Sequence, residues 1–319
     1  MNGRLKSLDM LRGIAASAVV LRHAEAWPLG MIGVDIFFVI SGYVMANIAS
    51  GRTATRFIQD RFWRIYPIYW IALVPWLLIA VHSGALTSVR AASNLMLVPL
   101  WFSEARPLLF LAWTLVFEIL FYCAVATAIK VRSVKPPLIL FLLCLAAWPL
   151  TGSTLFMWFG NPIILEFLFG VAIACLPLKS LPGAILLAVG LLWLILFPTL
   201  SYAMEVREFS PSLLRVLMWG IPSALIVYGL LGQEQRLRGA IVDGLCAIGA
   251  ASYSIYLFHM LVTDIFVAHW LLEFIAAMGL GFCAWFLLEQ PIMRWAARRS
   301  EAMNDRASRH AGPPLVEKI

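Results

Sequence analysis

The chain has 319 residues, 62% of them apolar and 13% charged, and a mean hydropathy of +0.88. Soluble domains carry about 25% charged residues, so this composition excludes a sizeable soluble domain and indicates an all-α, polytopic integral membrane helix bundle. The net charge of +7 and pI near 9.4 need to be read against topology before nucleic acid is invoked.

In chain order, the apolar runs predict ten transmembrane helices, near 8–27, 31–49, 65–82, 108–130, 137–151, 160–177, 182–199, 213–231, 245–268 and 271–292. The fifth and sixth are short and broken by Pro149, Gly152 and Pro162. Arg4 and Lys6 before the first run, with Ala24-Glu25-Ala26 after it, imitate a cleaved secretory signal. Asp9, Arg12, Arg22 and His23 interrupt what would be its apolar core, so the run is read as a retained span.

Lysine and arginine fall in alternate connections. Arg4 and Lys6 are followed by Arg52, Arg56, Arg61 and Arg64, then by Lys130, Arg132 and Lys135, Lys179, Arg236 and Arg238, and the tail from Arg294. The intervening loops hold only Arg90, Arg106 and Arg207. By the positive-inside rule both termini are cytoplasmic, and the basic pI follows from topology with no nucleic-acid partner. The expected organisation is a transmembrane domain over 1–297 and a polar cytoplasmic tail over 298–319, disordered towards Gly312-Pro313-Pro314. The longer outer connections, 83–107 and 200–212, are expected to act as lids over an external acceptor site. The five cysteines form no C-x2-C pair, and His23, His259 and His269 have no H-x3-H or H-E-x2-H spacing, so neither disulfides nor a metal site is expected.

Several spans carry residues that hydrocarbon does not tolerate. In the first, Arg12 and His23 are eleven positions apart, which on an ideal helix brings them within roughly 20° of one face and about 16 Å apart in depth. Such residues usually face a bundle interior or wet cavity, although Arg12 can also snorkel to the headgroups and His23 can be a satisfied interior group. Asp35, at the outer end of span two, lies at the depth of His23. It can fix the imidazole tautomer or cap its own helix. Arg61 and Arg64 are three apart on one helix face and suit either phosphate oxygens or a positive-inside anchor. Glu118 sits deep in the fourth span, five residues after Trp113, and Glu166 lies in the sixth. Ser252, Tyr256 and His259 form a polar stripe in the ninth span, suited to an acceptor channel or to interhelical hydrogen bonds. Glu289 ends the tenth span opposite the cytoplasmic arginines.

Together these segments resemble the membrane-bound acyltransferase-3 family of bacterial O-acyltransferases that modify lipopolysaccharide, exopolysaccharide, Nod factors and macrolides. The matching residues are Leu8-Asp9-x-Leu11-Arg12-Gly13 with Arg12-x10-His23, Gly33-Val34-Asp35-x-Phe37-Phe38-x-Ile40-Ser41-Gly42-Tyr43, Arg61-x2-Arg64, Trp113-x4-Glu118, Ser252-Tyr253-x2-Tyr256-Leu257-x-His259 and Glu289-x-Pro291. They run from the first span to the tenth. The resemblance implies ten spans, an acyl-CoA donor from the cytoplasm and an Arg12–His23 pair essential for transfer. The chain stops soon after span ten, as in the form without a fused esterase-like domain.

Joined to the geometry, the resemblance gives an expected mechanism in the bacterial cytoplasmic (inner) membrane. Arg12, Arg61 and Arg64 hold the phosphates of acetyl-CoA, a donor substrate and not a permanently bound cofactor. The pantetheine arm reaches His23, and Asp35 and Glu118 assist catalysis. Trp113, Ser252, Tyr256 and His259 meet the acceptor, a glycan or lipid-linked sugar hydroxyl. His23 as general base and an acyl-histidine intermediate both remain open. The rival is a transporter or flippase of a lipid-linked sugar, in which the same buried charges form a substrate path.

Overall fold

The computed structural model describes residues 5–98, 107–152, 154–196, 212–264 and 269–310, and every regular element among them is helical. The helices are α1 (Lys6–His23), α2 (Ile32–Ala49), α3 (Ala54–His82), α4 (Ser88–Met96), α5 (Ala112–Val131), α6 (Lys135–Thr151), α7 (Thr154–Phe159), α8 (Ile164–Ala174), α9 (Ser180–Leu196), α10 (Leu213–Leu231), α11 (Ala240–Phe258), α12 (Met260–Thr263), α13 (Trp270–Ala284) and α14 (Gln290–His310). α10 contains a π turn at Val216–Gly220, and a second, Trp285–Glu289, joins α13 to α14.

Over the described residues each of the ten predicted runs overlaps a helix; 197–199 and 265–268, within two of them, lie outside the described residues. Among the described residues six helical segments are long and apolar enough to cross a membrane: Pro28–Ala49, Ala54–His82, Ala112–Val131, Leu213–Leu231, Ala240–Phe258 and Trp270–Ser300. α6, α8 and α9 are apolar but shorter, and α1 carries Lys6, Asp9, Arg12 and Arg22. Outward faces are rich in exposed apolar side chains such as Leu143, Leu150, Ile195 and Phe286. That arrangement suits a bundle solvated by lipid, and the protein is a multi-pass membrane protein.

Small residues bring the helices that frame the interior together. A Cβ on Gly13 would overlap the carbonyl oxygen of Leu245, and one on Gly249 that of Asp9, so α1 and α11 touch backbone to backbone. Gly42 and Gly170 do the same for α2 and α8. The start of α1 is fixed from across the sequence. The Glu234 carboxylate accepts from the backbone N–H groups of Lys6 (2.7 Å) and Ser7 (2.9 Å), two donors with no partner inside their helix. Lys6 Nζ pairs with Asp243 at 2.7 Å, and this contact raises the ammonium's pKa above its ordinary value.

The outer connection 83–107 differs from the expected lid loop. Its 88–96 portion is α4, laid along α3, where Tyr69, Tyr66 and Trp70 donate to the carbonyls of Asn94 (2.7 Å), Met96 (3.0 Å) and Leu95 (3.0 Å). Those last-turn carbonyls lack acceptors' usual partners within the helix, and the α3 aromatics supply them. Residues 99–106 and 200–211 of the two expected lids lie outside the described residues. At the other end, α14 continues helically to His310, into the segment expected to be an unstructured tail; 311–319 lie outside the described residues.

Replacing Gly249 by valine must push α11 away from α1. The expected result is destabilisation of at least about 1–3 kcal/mol, seen as a lower Tm of the detergent-purified protein, whereas Gly244→Ala, in open space, leaves Tm within a degree or two.

Candidate active site

The charged residues of the interior fall into two layers. The inner layer lines a cavity of about 860 Å³ that runs from Leu5, Asp9 and Arg294 at the arginine-rich end to Val34, Thr114 and Tyr256 deeper in the bundle. This volume lies within the roughly 300–1,000 Å³ of small-molecule and cofactor sites. Arg12, Arg61 and Arg64 all line it, with Glu118, Ser41 and Ser252.

The three arginines are not equivalent. Arg64 forms a short ion pair with Glu289, whose second oxygen accepts from Ser254 Oγ at 2.6 Å, and it lies 5.3 Å over the Tyr253 ring. Arg61 lies 5.9 Å over the Tyr122 ring. Among the described residues neither Arg61 nor Arg12 has a carboxylate within salt-bridge distance, and the Nε of each is buried without a hydrogen-bond partner. Glu118, the nearest acidic candidate, is engaged elsewhere. It accepts a short hydrogen bond from Tyr122 and a longer one, 3.4 Å, from Ser41. Two half-buried guanidinium groups without their own carboxylates give this cavity a wall chemically suited to anionic oxygens.

The outer layer centres on His23, the last residue of α1. Its Nδ1 lies 3.0 Å from the Val19 carbonyl and 3.2 Å from His259 Nε2. His259, fully buried just after α11, has its own Nδ1 3.2 Å from the Ile255 carbonyl. Carbonyl oxygens only accept, so both bonds require the proton on Nδ1. His259 Nε2 is then an acceptor for the same His23 proton, and His23 Nε2 is left with its lone pair. His259, expected on an acceptor stripe, thus stands as the group that orients His23. The close α1–α11 packing makes that possible.

Asp35, in the first turn of α2, forms an ion pair with Arg215, with Nη2 2.9 Å and Nη1 3.2 Å from Oδ1. Arg215 is 1% exposed, inside the α10 span. It was absent from the candidates drawn from sequence, although the rule that singled out Arg12, an ionisable residue inside an apolar run, applies to it equally. Glu166, fully buried in the first turn of α8, lies beside this pair, in contact with Asp35, and against Gly220. Arg215, His23, Arg22 and Trp113 line a second, small cavity of about 10 Å³.

Val34 lines both cavities, so the partition between them is one side chain thick. Beside it, Thr114 Oγ1 donates to the Leu111 carbonyl at 2.9 Å and lies 2.8 Å from Tyr256 OH, which can donate to it. Trp113 faces the outer cavity, while Ser252 and Tyr256 face the inner one.

A helical bundle with a cationic cavity at one depth and a paired histidine at another is the framework of a membrane-embedded enzyme. A family model described as an acyltransferase domain matches residues 5–290. The chain belongs to the acyltransferase-3 family, and it is an O-acyltransferase. It is 31% identical over 301 residues to the exopolysaccharide production protein ExoZ of Rhizobium meliloti (strain 1021), covering 84% of this chain and 91% of that one. It is 28% identical over 310 residues to the putative membrane-bound transacylase BcsY of Komagataeibacter xylinus, covering 85% and 75%. A shorter match, 35% identity over 95 residues, relates 26% of this chain to 15% of the peptidoglycan O-acetyltransferase OatA of Listeria monocytogenes. No solved structure matches.

The inequality of the arginines predicts opposite phenotypes. Arg64→Ala leaves the Glu289 carboxylate buried without its cation and lowers stability by about 3 kcal/mol or more. Arg61→Ala removes an unpaired charge, so the Tm of the purified protein stays at or above the wild-type value.

Proposed function

We propose that the protein transfers an acyl group, acetyl in the simplest case, from cytoplasmic acyl-CoA to a hydroxyl of an exported or cell-surface glycan, acting in the bacterial inner membrane. The observation that carries this reading is the pair of half-buried arginines, Arg12 and Arg61, that line the inner cavity without ion-pair partners. That cavity opens among the ends of α1, α2 and α14, where the lysine and arginine excess points to the cytoplasm. The names of ExoZ, BcsY and OatA associate those relatives with exopolysaccharide, transacylation and peptidoglycan O-acetylation, which supports a glycan acceptor.

In this reading Arg12 and Arg61 take the phosphate oxygens of the donor, and Arg64 holds the wall in place through Glu289. The pantetheine arm extends past Ser41 and Ser252 to the Val34 partition. An acceptor hydroxyl arrives from the outer side. Its oxygen attacks the thioester carbon while its proton passes to His23 Nε2, and collapse of the tetrahedral adduct breaks the C–S bond. The CoA thiolate then takes the proton from the imidazolium, so no other reactant is needed. His259 keeps the Nδ1 proton in place throughout, and Glu118 orients Tyr122 and Ser41. General base catalysis of this kind contributes about 10²–10⁴ in rate.

The test uses inverted membrane vesicles supplied with radiolabelled acetyl-CoA, with label followed into extracted glycan. His23→Ala is expected to abolish detectable transfer and Arg12→Ala to weaken donor binding at least tenfold. Transfer by His23→Ala at the wild-type rate rejects the assignment. A Cys introduced as Ser41→Cys, at the cavity wall, is expected to react with a membrane-impermeant thiol reagent in inverted vesicles only, and to be protected by acetyl-CoA.

A further inference from the structure

The outer cavity contains a residue for which the mechanism above has no use. Arg215 is a guanidinium buried to 1% exposure inside an apolar span. Carrying it there is expensive: replacing a buried ion pair by apolar residues of similar volume is often neutral or stabilising, so the Asp35–Arg215 pair is weak as a stability device. Ionisable groups kept inside membrane spans usually serve a site. Three observations show which site. Arg215 lines the same small cavity as His23 and Trp113. Its two terminal nitrogens are held against Asp35 Oδ1, which fixes the guanidinium in one orientation. The backbone leaves α-helical geometry at the next residue, with the π turn Val216–Gly220, a feature frequent at functional sites.

The size of the cavity sets what it can take. About 10 Å³ is the space of one water-sized group, too small for an acyl chain and right for one oxygen. We infer that Arg215 is a catalytic residue that receives the thioester carbonyl oxygen and stabilises the oxyanion of the tetrahedral adduct, with Asp35 as its positioning residue. This rests on the assignment of His23 as the base. The carbonyl carbon then sits at the Val34 partition, between the donor arm on the inner side and His23 on the outer. As the acceptor oxygen bonds to that carbon, the C=O electron pair moves onto oxygen beside the guanidinium, and it returns as the C–S bond breaks. No proton leaves Arg215. Asp35 thereby has a second-hand part in the chemistry, acting through Arg215.

A buried arginine held by a carboxylate can also be purely architectural, and the charge-neutral pair Asp35→Asn/Arg215→Gln separates the two roles. It removes both charges together and leaves a polar pair, Asn isosteric with Asp and Gln shorter than Arg, so neither partner is left as an uncompensated buried charge. Wild type, the double variant and His23→Ala are compared for initial rate of label transfer into glycan, equilibrium binding of radiolabelled acetyl-CoA to purified protein, and Tm. The expected result for the double variant is a Tm within a few degrees of wild type, donor affinity within twofold and a transfer rate lowered about 10²–10³-fold, the range seen when one oxyanion donor is removed. A loss of less than tenfold overturns the role of Arg215 while leaving His23 in place, provided His23→Ala is inactive. Wild-type transfer by His23→Ala overturns the underlying mechanism instead. Where the double variant is not recovered folded, Arg215→Lys decides: it keeps the charge and loses the planar fork. A kcat at least tenfold lower with unchanged donor affinity supports the assignment, and a smaller change overturns it.

Discussion

The contact on which the site depends is the backbone-to-backbone packing of α1 on α11. Gly13 faces the Leu245 carbonyl and Gly249 faces that of Asp9. With no Cβ at either crossing the two helices approach as closely as their main chains allow, and side chains at both ends of the contact are set by it. At one end Glu234, beyond α10, closes the first turn of α1. At the other His259 reaches the Nδ1 of His23. Because α1 is a single unbroken helix between those anchors, Arg12 is carried into the wall of the inner cavity while His23 reaches the outer one.

Desolvation explains why the remaining charges are distributed as they are. A cation in a bundle needs a carboxylate, a π face or a ligand, and the first two appear here. Arg64 takes Glu289, Arg215 takes Asp35, and Arg61 takes the Tyr122 ring. Arg12 lines the cavity with no carboxylate in salt-bridge range. The two helical irregularities fall at the paired residues: Glu289 closes one π turn and Arg215 precedes the other. The local widening of the helix there re-aims side chains that a regular α-helix would send elsewhere.

How much of this was legible in the sequence depended on whether the information was local. The Arg12–His23 register is a property of one helix, and the arithmetic of 3.6 residues per turn was enough to place both on the interior side. The position of the apolar runs was equally readable, because a membrane selects for composition run by run. Pairings across the bundle were not. Nothing near Asp35 in the sequence indicates a partner 180 residues away, and the depth argument that matched it with His23 specified a layer without specifying a neighbour. Arg61 and Arg64 share a helix face, yet their different fates depend on Glu289, which arrives from the far end of the chain. Arg215 was within reach of the rule that singled out Arg12, since it lies inside the 213–231 run, but its pairing with Asp35 across the bundle was not. α4 was concealed by its flanks, since Ser88–Met96 is short and amphipathic and takes its last-turn partners from aromatic residues of α3.

The partition between the two cavities bears on the choice between an enzyme and a transporter. A transporter must pass its substrate whole, so its two access paths alternate around one binding site at mid-depth. Here the cationic cavity and the histidine cavity are different sites, separated by Val34 with the Thr114–Tyr256 hydroxyls beside it. A layer one side chain thick is a poor path for a nucleotide or a sugar, but an acyl group on an extended thiol arm needs only its carbonyl to reach the far side. On the same proposal, the layer would keep bulk water from a thioester held on the inner side and so limit its hydrolysis. On the function proposed above, this separation of anion binding from the reacting centre would let a donor on one side of the membrane serve an acceptor on the other.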